Sequence, residues 1–168
     1  MNAEPHKGHK VPRHFTASGY LVNEGKVLLH WHKKVRALLP PGGHIEPNED
    51  PVQAVLREIQ EETGVPAEVI PGRLAYDFSY PQQVLPPEAI MVEDIQDPRT
   101  GFHQHIDMIY FCRPLGPAPV IKDGWRWFSE EQLKNTGPAE WINGQALEIP
   151  ADVRRLGLEA LRRARESG

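Results

Sequence analysis

The run LREIQEETG, residues 56–64, sets Glu58, Glu61 and Glu62 three and four positions apart. On a helix that spacing crowds three carboxylates onto one face, where like charges repel by roughly a few tenths of a kcal/mol per pair. An acidic stripe facing water tolerates this. The stretch just before it, LPPGGHIEPNED, residues 39–50, suggests a second use. Three carboxylates on a rigid face, beside a glycine-rich loop with free backbone carbonyls, form an all-oxygen site for a hard divalent cation, and the cation removes the repulsion.

The carboxylates need a helix to hold them, and the sequence marks its ends. Asp50 can act as N-cap, Pro51 suits the first helical position, Gln53 completes a capping box and Gly64 supplies a left-handed cap. Val52, Val55, Leu56 and Ile59 follow the spacing of a buried stripe, leaving Ala54, Glu58, Glu61 and Glu62 on a neighbouring face. Upstream, Phe15 to Val22 and Lys26 to His32 read as strands joined by a hairpin at Asn23-Glu24-Gly25, and residues 38–50 read as a loop. Downstream, apolar runs at Val69 to Tyr80, Ala89 to Ile95 and His105 to Cys112 suggest strands, the last two forming a hairpin through QDPRTG. GWRWFSEEQL reads as a strand entering a helix capped by Ser129, with Gln132 at the capping-box position. A final amphipathic helix carries Val153, Leu156, Leu158 and Leu161 on its apolar side. Strands interleaved with and followed by helices imply an α/β sandwich with a mixed sheet.

The chain of 168 residues suits one domain: a polar arm over residues 1–12, then a single domain over 13–168. Its single Cys112 allows no internal disulfide, which makes a reducing, cytoplasmic setting the default expectation. No apolar run approaches the roughly 18 residues of a membrane span, and MNAEPHKGHKVPR has no apolar core for a signal peptide. A net charge of −4 provides no global basic field, so nucleic acid is not suggested as a partner.

From Gly43, five residues lead to Glu49 and seven more to Arg57, followed by Glu58, Ile59, Gln60, Glu61, Glu62, Thr63, Gly64 and Val65. Residues 43–65 resemble the 23-residue signature of the Nudix hydrolase superfamily, and LPPGG matches its usual lead-in. The resemblance is strong over Leu39 to Val65 and loose in the flanks. It implies an α/β/α sandwich with a mixed β-sheet. It also implies hydrolysis, with Mg²⁺ or Mn²⁺, of a phosphoanhydride in a nucleoside diphosphate derivative such as ADP-ribose, a nucleotide sugar or a nucleoside triphosphate. Glu58, Glu61 and Glu62 would be metal carboxylates, one glutamate acting as base, with the Gly43 carbonyl as a further ligand. Arg57 and Glu49 would pair to hold the loop on the helix. A Nudix-fold sensor that binds a nucleotide without cutting it is the alternative, and a homodimer is left open.

Other candidates are weaker. Glu93 or Asp94 could add a ligand or base, although a solvated strand edge accounts for them more simply. Lys33, Lys34 and Arg36 could meet substrate phosphates. Tyr80, Phe102 and Trp31 could stack on a base, and residues 77–105 look like the loop-bearing part that sets specificity. Trp125 and Trp127 fit packing better than stacking. His30 with His32 and His103 with His105 each share a strand face, but no third ligand has matching spacing, which argues against zinc. Cys112 fits a buried thiol rather than a nucleophile.

Overall fold

The computed structural model describes residues 11–117, 119–137, 140–142 and 145–168. The first ten residues of the expected arm lie outside the described residues. Alternation along the strands builds a sheet buried on both faces. In β1 (Arg13–Asn23), Ala17 and Leu21 pack into one core while Tyr20 and Val22 pack into another. Glu24 (φ 46°) and Gly25 (φ 72°) form a two-residue turn with both φ positive, and β2 (Lys26–His32) returns antiparallel with Val22 opposite Val27.

The expected loop over residues 38–50 contains two short strands. β3 (Ala37–Leu39) pairs with the far part of β2, and β4 (Gly42–His44) pairs antiparallel with β1. Glycine reads as a loop signal, yet here it permits close backbone approach. A Cβ on Gly42 would fall 2.5 Å from Ser18 Oγ and 2.8 Å from the Ala17 carbonyl oxygen.

Helix α1 (Pro51–Thr63) has the expected caps. Asp50 accepts from the Val52 and Gln53 N–H groups, Gln53 answers at the Asp50 N–H, and Gly64 closes the helix at φ 81°. Its buried side differs from the expected stripe. Ala54, Val55, Ile59 and Thr63 are buried, whereas Val52 and Leu56 are only partly so. Beneath two of these residues lies Gly19 on β1, where a Cβ would stand 2.6 Å from Ile59 Cδ1 and 2.8 Å from Val55 Cγ2. With no side chain there Ile59 and Val55 lie directly on the sheet, and Ala54 is buried beside Val55.

β5 (Ala67–Val69) is short, and the apolar run beyond it is not a strand. Residues 70–88 form a strap, held where Tyr110 Oη donates to the Leu85 carbonyl (3.2 Å) and Arg163 Nη2 donates to the Pro71 carbonyl (3.1 Å). β6 (Ala89–Asp97) and β7 (Gly101–Pro114) form the expected hairpin. β7 also runs parallel to β1 from Arg13 opposite Gln104 to Leu21 opposite Cys112. β8 (Trp125–Ser129) pairs with β2 and enters α2 (Glu130–Lys134) through a Ser129–Gln132 capping box. β9 (Glu140–Ile142) and β10 (Gln145–Leu147) make a separate ribbon before α3 (Ala151–Glu166).

The architecture is an α/β/α sandwich on a mixed eight-stranded sheet. Helix α1 covers Ala17, Leu21, Leu28, Tyr110, Cys112 and Trp125 on one face. Helices α2 and α3 cover Tyr20, Leu29, Phe111 and Phe128 on the other. Among the described residues, no helix is long and apolar enough to cross a membrane.

Candidate active site

One side chain fastens the loop to α1. Arg57 forks onto Glu49, Nε to Oε1 at 2.8 Å and Nη2 to Oε2 at 3.1 Å, and Nη2 also donates to the His44 carbonyl at 3.1 Å. Its Nη1 donates to Glu58 Oε1 at 2.7 Å and to Glu61 Oε2 at 3.2 Å. The hydrogen bonds from Arg57 hold the Glu49 carboxyl below its ordinary range, and Glu49 and Glu58 together raise the guanidinium. The loop therefore sits on the helix through one planar cation shared by three carboxylates.

Gly43 lies against the Glu58 carboxylate, where a Cβ would come within 2.3 Å of Oε1. Glu62 Oε2 accepts the Gly42 N–H at 3.1 Å. Among the described residues no cation pairs with Glu62. Burial holds its pKa up, with Glu58 and Glu61 adding to the rise and the Gly42 N–H partly offsetting it. This is the one carboxylate of the three that lines a cleft of about 1030 Å³, together with Gly42 and Gly43. Such a volume admits a sizeable small-molecule ligand.

The cleft has apolar walls from Tyr20, Leu39, Ile109, Val153 and Leu156, and acidic groups at Glu93, Asp107 and Asp152. Asp107 is buried and accepts from Thr16 Oγ1 at 2.9 Å, with Ser18 as a second partner, while burial raises its pKa. Glu93, an exposed residue of β6, borders the cleft, and burial, then Asp107 and Asp152, push its pKa up to about 7. Asp94 also borders the cleft, yet its carboxylate accepts from Gln104 Nε2 at 2.9 Å.

The histidines require a correction. His30 packs on Trp125 with ring centroids 4.3 Å apart, and His32 Nδ1 accepts the Val35 N–H, so that pair is local structure. His103 and His105 do have a third partner. The β1–β7 register sets His14 opposite His105, and the ligand atoms of His14, His103 and His105 lie within 4.8 Å of one another. Spacing along the chain could not reveal this, because the third ring arrives from a parallel strand about ninety residues away.

The family profile described as NUDIX domain matches residues 12–148, which is most of the chain. The chain belongs to the Nudix family. A Nudix-family hydrolase from Clostridium perfringens is 33% identical, with 90% of this chain and 98% of that one covered and a TM-score of 0.70. A MutT protein from Methanosarcina mazei shares the fold at 19% identity, covering 95% and 99% of the two chains, with a TM-score of 0.54. The C. elegans Ap4A hydrolase does so at 18%, covering 94% and 98%, with a TM-score of 0.50. No curated protein matches the chain. The protein is thus a Nudix hydrolase, of a family that generally uses a divalent metal and acts on small nucleotides.

Within this Nudix domain the structure brings Gly43, Glu49, Arg57, Glu58, Glu61 and Glu62 together. It does not bring Lys33, Arg36, Tyr80 or Phe102 into the cleft lining, where Lys34 is the only lysine or arginine among the described residues. Tyr80 is 89% exposed and Phe102 45%. Trp125 is buried and Trp127 packs against the α1-side core. Cys112 is fully buried, and burial pushes its thiol well above the ordinary range.

Proposed function

We propose that this Nudix hydrolase is a Mg²⁺- or Mn²⁺-dependent pyrophosphohydrolase that cleaves a phosphoanhydride in a nucleoside diphosphate derivative by attack of water on phosphorus. The observation that carries the proposal is Glu62, a half-buried carboxylate opening into a ligand-sized cleft with no cation paired to it among the described residues. The donor set fits a hard ion: the carboxylates of Glu58, Glu61 and Glu62 and the Gly43 carbonyl are all oxygens. Once bound, such an ion neutralises phosphate oxygens and lowers the pKa of a coordinated water.

The protein's own groups do the rest. Arg57 keeps Glu58 and the Gly43 strand in fixed relation through its bonds to Glu49 and the His44 carbonyl. Glu62 and Glu93, both with raised pKa, are the groups best placed to take a proton at neutral pH. Lys34 offers a positive charge to the phosphates, and the apolar walls receive the remainder of the ligand. Lys33, Arg36, Tyr80 and Phe102 would meet only a ligand that extends past the lining. ADP-ribose, nucleotide sugars and nucleoside triphosphates all suit this reading, and Cys112 with no disulfide partner suits a reducing compartment.

The test is a nucleotide panel with purified protein and Mg²⁺ or Mn²⁺, with products identified by mass. Metal-dependent release of a nucleoside monophosphate or pyrophosphate supports the proposal. Tight nucleotide binding without any product would establish the silent sensor instead.

A further inference from the structure

We propose a second metal site, built from imidazoles, in which His14, His103 and His105 bind a borderline transition ion of the zinc class. It differs in chemistry from the all-oxygen carboxylate site: neutral imidazole nitrogen suits zinc, cobalt or nickel, whereas Mg²⁺ prefers oxygen.

Three ligand atoms lie within 4.8 Å, His103 being buried and the other two partly buried. His103 Nδ1 sits 3.1 Å from the Gly101 carbonyl. A carbonyl only accepts, so Nδ1 carries the proton and Nε2 presents its lone pair. That is the arrangement in which an outer hydrogen bond fixes the tautomer of a ligating histidine. Nε2 of His103 faces Nε2 of His105 at 3.2 Å. Two nitrogens bound tetrahedrally at about 2.0–2.1 Å from zinc stand about 3.3–3.4 Å apart, so this pair already has the edge length of such a site. His14 supplies the third ligand atom, within 4.8 Å of the other two. The His44 ring stands beside the cluster, its centroid 5.0 Å from that of His105 and 5.4 Å from that of His14. Glu93, opposite His105 on β6, adds a carboxylate to the surroundings. The three ligands stand on the paired strands β1 and β7, a more rigid support than a loop.

The test uses the full chain stripped by chelator and titrated with Co²⁺ in excess Mg²⁺, which occupies oxygen sites. One equivalent should bind with the visible absorption of four-coordinate Co²⁺, and Zn²⁺ should displace it. His103→Ala and His105→Ala should weaken binding by roughly two orders of magnitude. A Glu58→Gln/Glu62→Gln variant should bind as the native chain does, and so should His6→Ala/His9→Ala, which controls for the histidines of the N-terminal arm. Melting of each variant without metal checks folding, and His14→Asn, at a less buried ring, replaces any variant that does not fold. No bound equivalent in Mg²⁺, binding that survives both single variants, or loss in the His6→Ala/His9→Ala chain would overturn the site.

Discussion

Glu62→Gln removes one charge and almost no volume. The Gly42 N–H that donates to Glu62 at 3.1 Å can donate, more weakly, to an amide oxygen, so the link to β4 persists. Burial, Glu58 and Glu61 raise the native carboxyl's pKa, and between its ordinary and raised values the folded chain holds a proton that the unfolded chain has lost. Ionised Glu62 therefore costs stability, and that cost grows as pH rises through this window. Removing the charge relieves the repulsion from Glu58 one turn earlier, roughly a few tenths of a kcal/mol. It also exchanges a charged acceptor for a neutral one, a loss of about 1 kcal/mol. The opposing terms leave the metal-free variant within about 1 kcal/mol of the native chain, or about 2–4 °C in melting temperature. Hydrolysis should nonetheless fall by orders of magnitude, and Mg²⁺ should raise the native melting temperature more than the variant's. Thermal unfolding with chelator and with Mg²⁺, beside a product assay, reads all three. A metal-free drop of about 8 °C or more would show that Glu62 holds the fold. Normal hydrolysis would remove it from the site.

Gly43→Ala places a methyl 2.3 Å from Glu58 Oε1, so the carboxylate must move. Mg²⁺-dependent stabilisation and hydrolysis should both fall at least about tenfold, and unchanged Mg²⁺ affinity would contradict this packing. Arg57→Lys keeps the charge but loses the fork onto Glu49 and the bond to His44. Urea unfolding should show a loss of about 1–3 kcal/mol, moderated by the partial exposure of the pair, and a neutral result would dismiss the clamp. Glu93, with a pKa near 7, gives a stability that declines as pH rises from about 4.5 to 7, while His105, lowered to about 4 by burial and neighbouring histidines, gives the opposite slope from about 4 to 6.5. In chelator, Glu93→Gln should therefore gain about 1–2 kcal/mol on the native chain between pH 5 and pH 8, after discounting for the exposed strand. Parallel stability curves for the two chains would refute the raised pKa of that carboxyl.

What could be read from the sequence was written locally. Asp50, Pro51, Gln53 and Gly64 cap their own helix, and Glu24-Gly25 closes a two-residue turn, so each signal lies within a few residues of its effect. What could not be read depends on partners far along the chain. Residues 70–80 are apolar enough for a strand, but the edge of β7 that would receive it is already taken by β5 and β6. Arg163 sits in an arginine-rich part of α3 that reads as surface, yet it is buried against the Pro71 carbonyl and Glu88. Ile59 and Val55 pack closely on β1 because Gly19, on another element, leaves room. The His14–His105 pairing belongs to the same class. The clustering of the α1 carboxylates beside Gly42 and Gly43 was legible because these residues are neighbours in sequence. The imidazole cluster was not, because a parallel register has no local signature.

These local and distant kinds of information meet in three residues. Gly42 donates its N–H to Glu62, Gly43 leaves the space that Glu58 fills, and the His44 carbonyl accepts from Arg57 while its ring stands beside the other imidazoles. The same three residues pair with β1, Ser18 opposite Gly42, Ala17 opposite Gly43 and Thr16 opposite His44. The proposed oxygen donors on α1 and the proposed nitrogen donors on β1 and β7 are thus referred to one short strand, and that strand is referred to β1. A change that displaces β1 cannot then disturb one donor set alone. Gly19→Ala would act this way from beneath α1, where its methyl meets Ile59 and Val55. Overpacking of that kind costs about 1–3 kcal/mol, and the displacement it forces would reach the carboxylates through the helix and the histidines through β1.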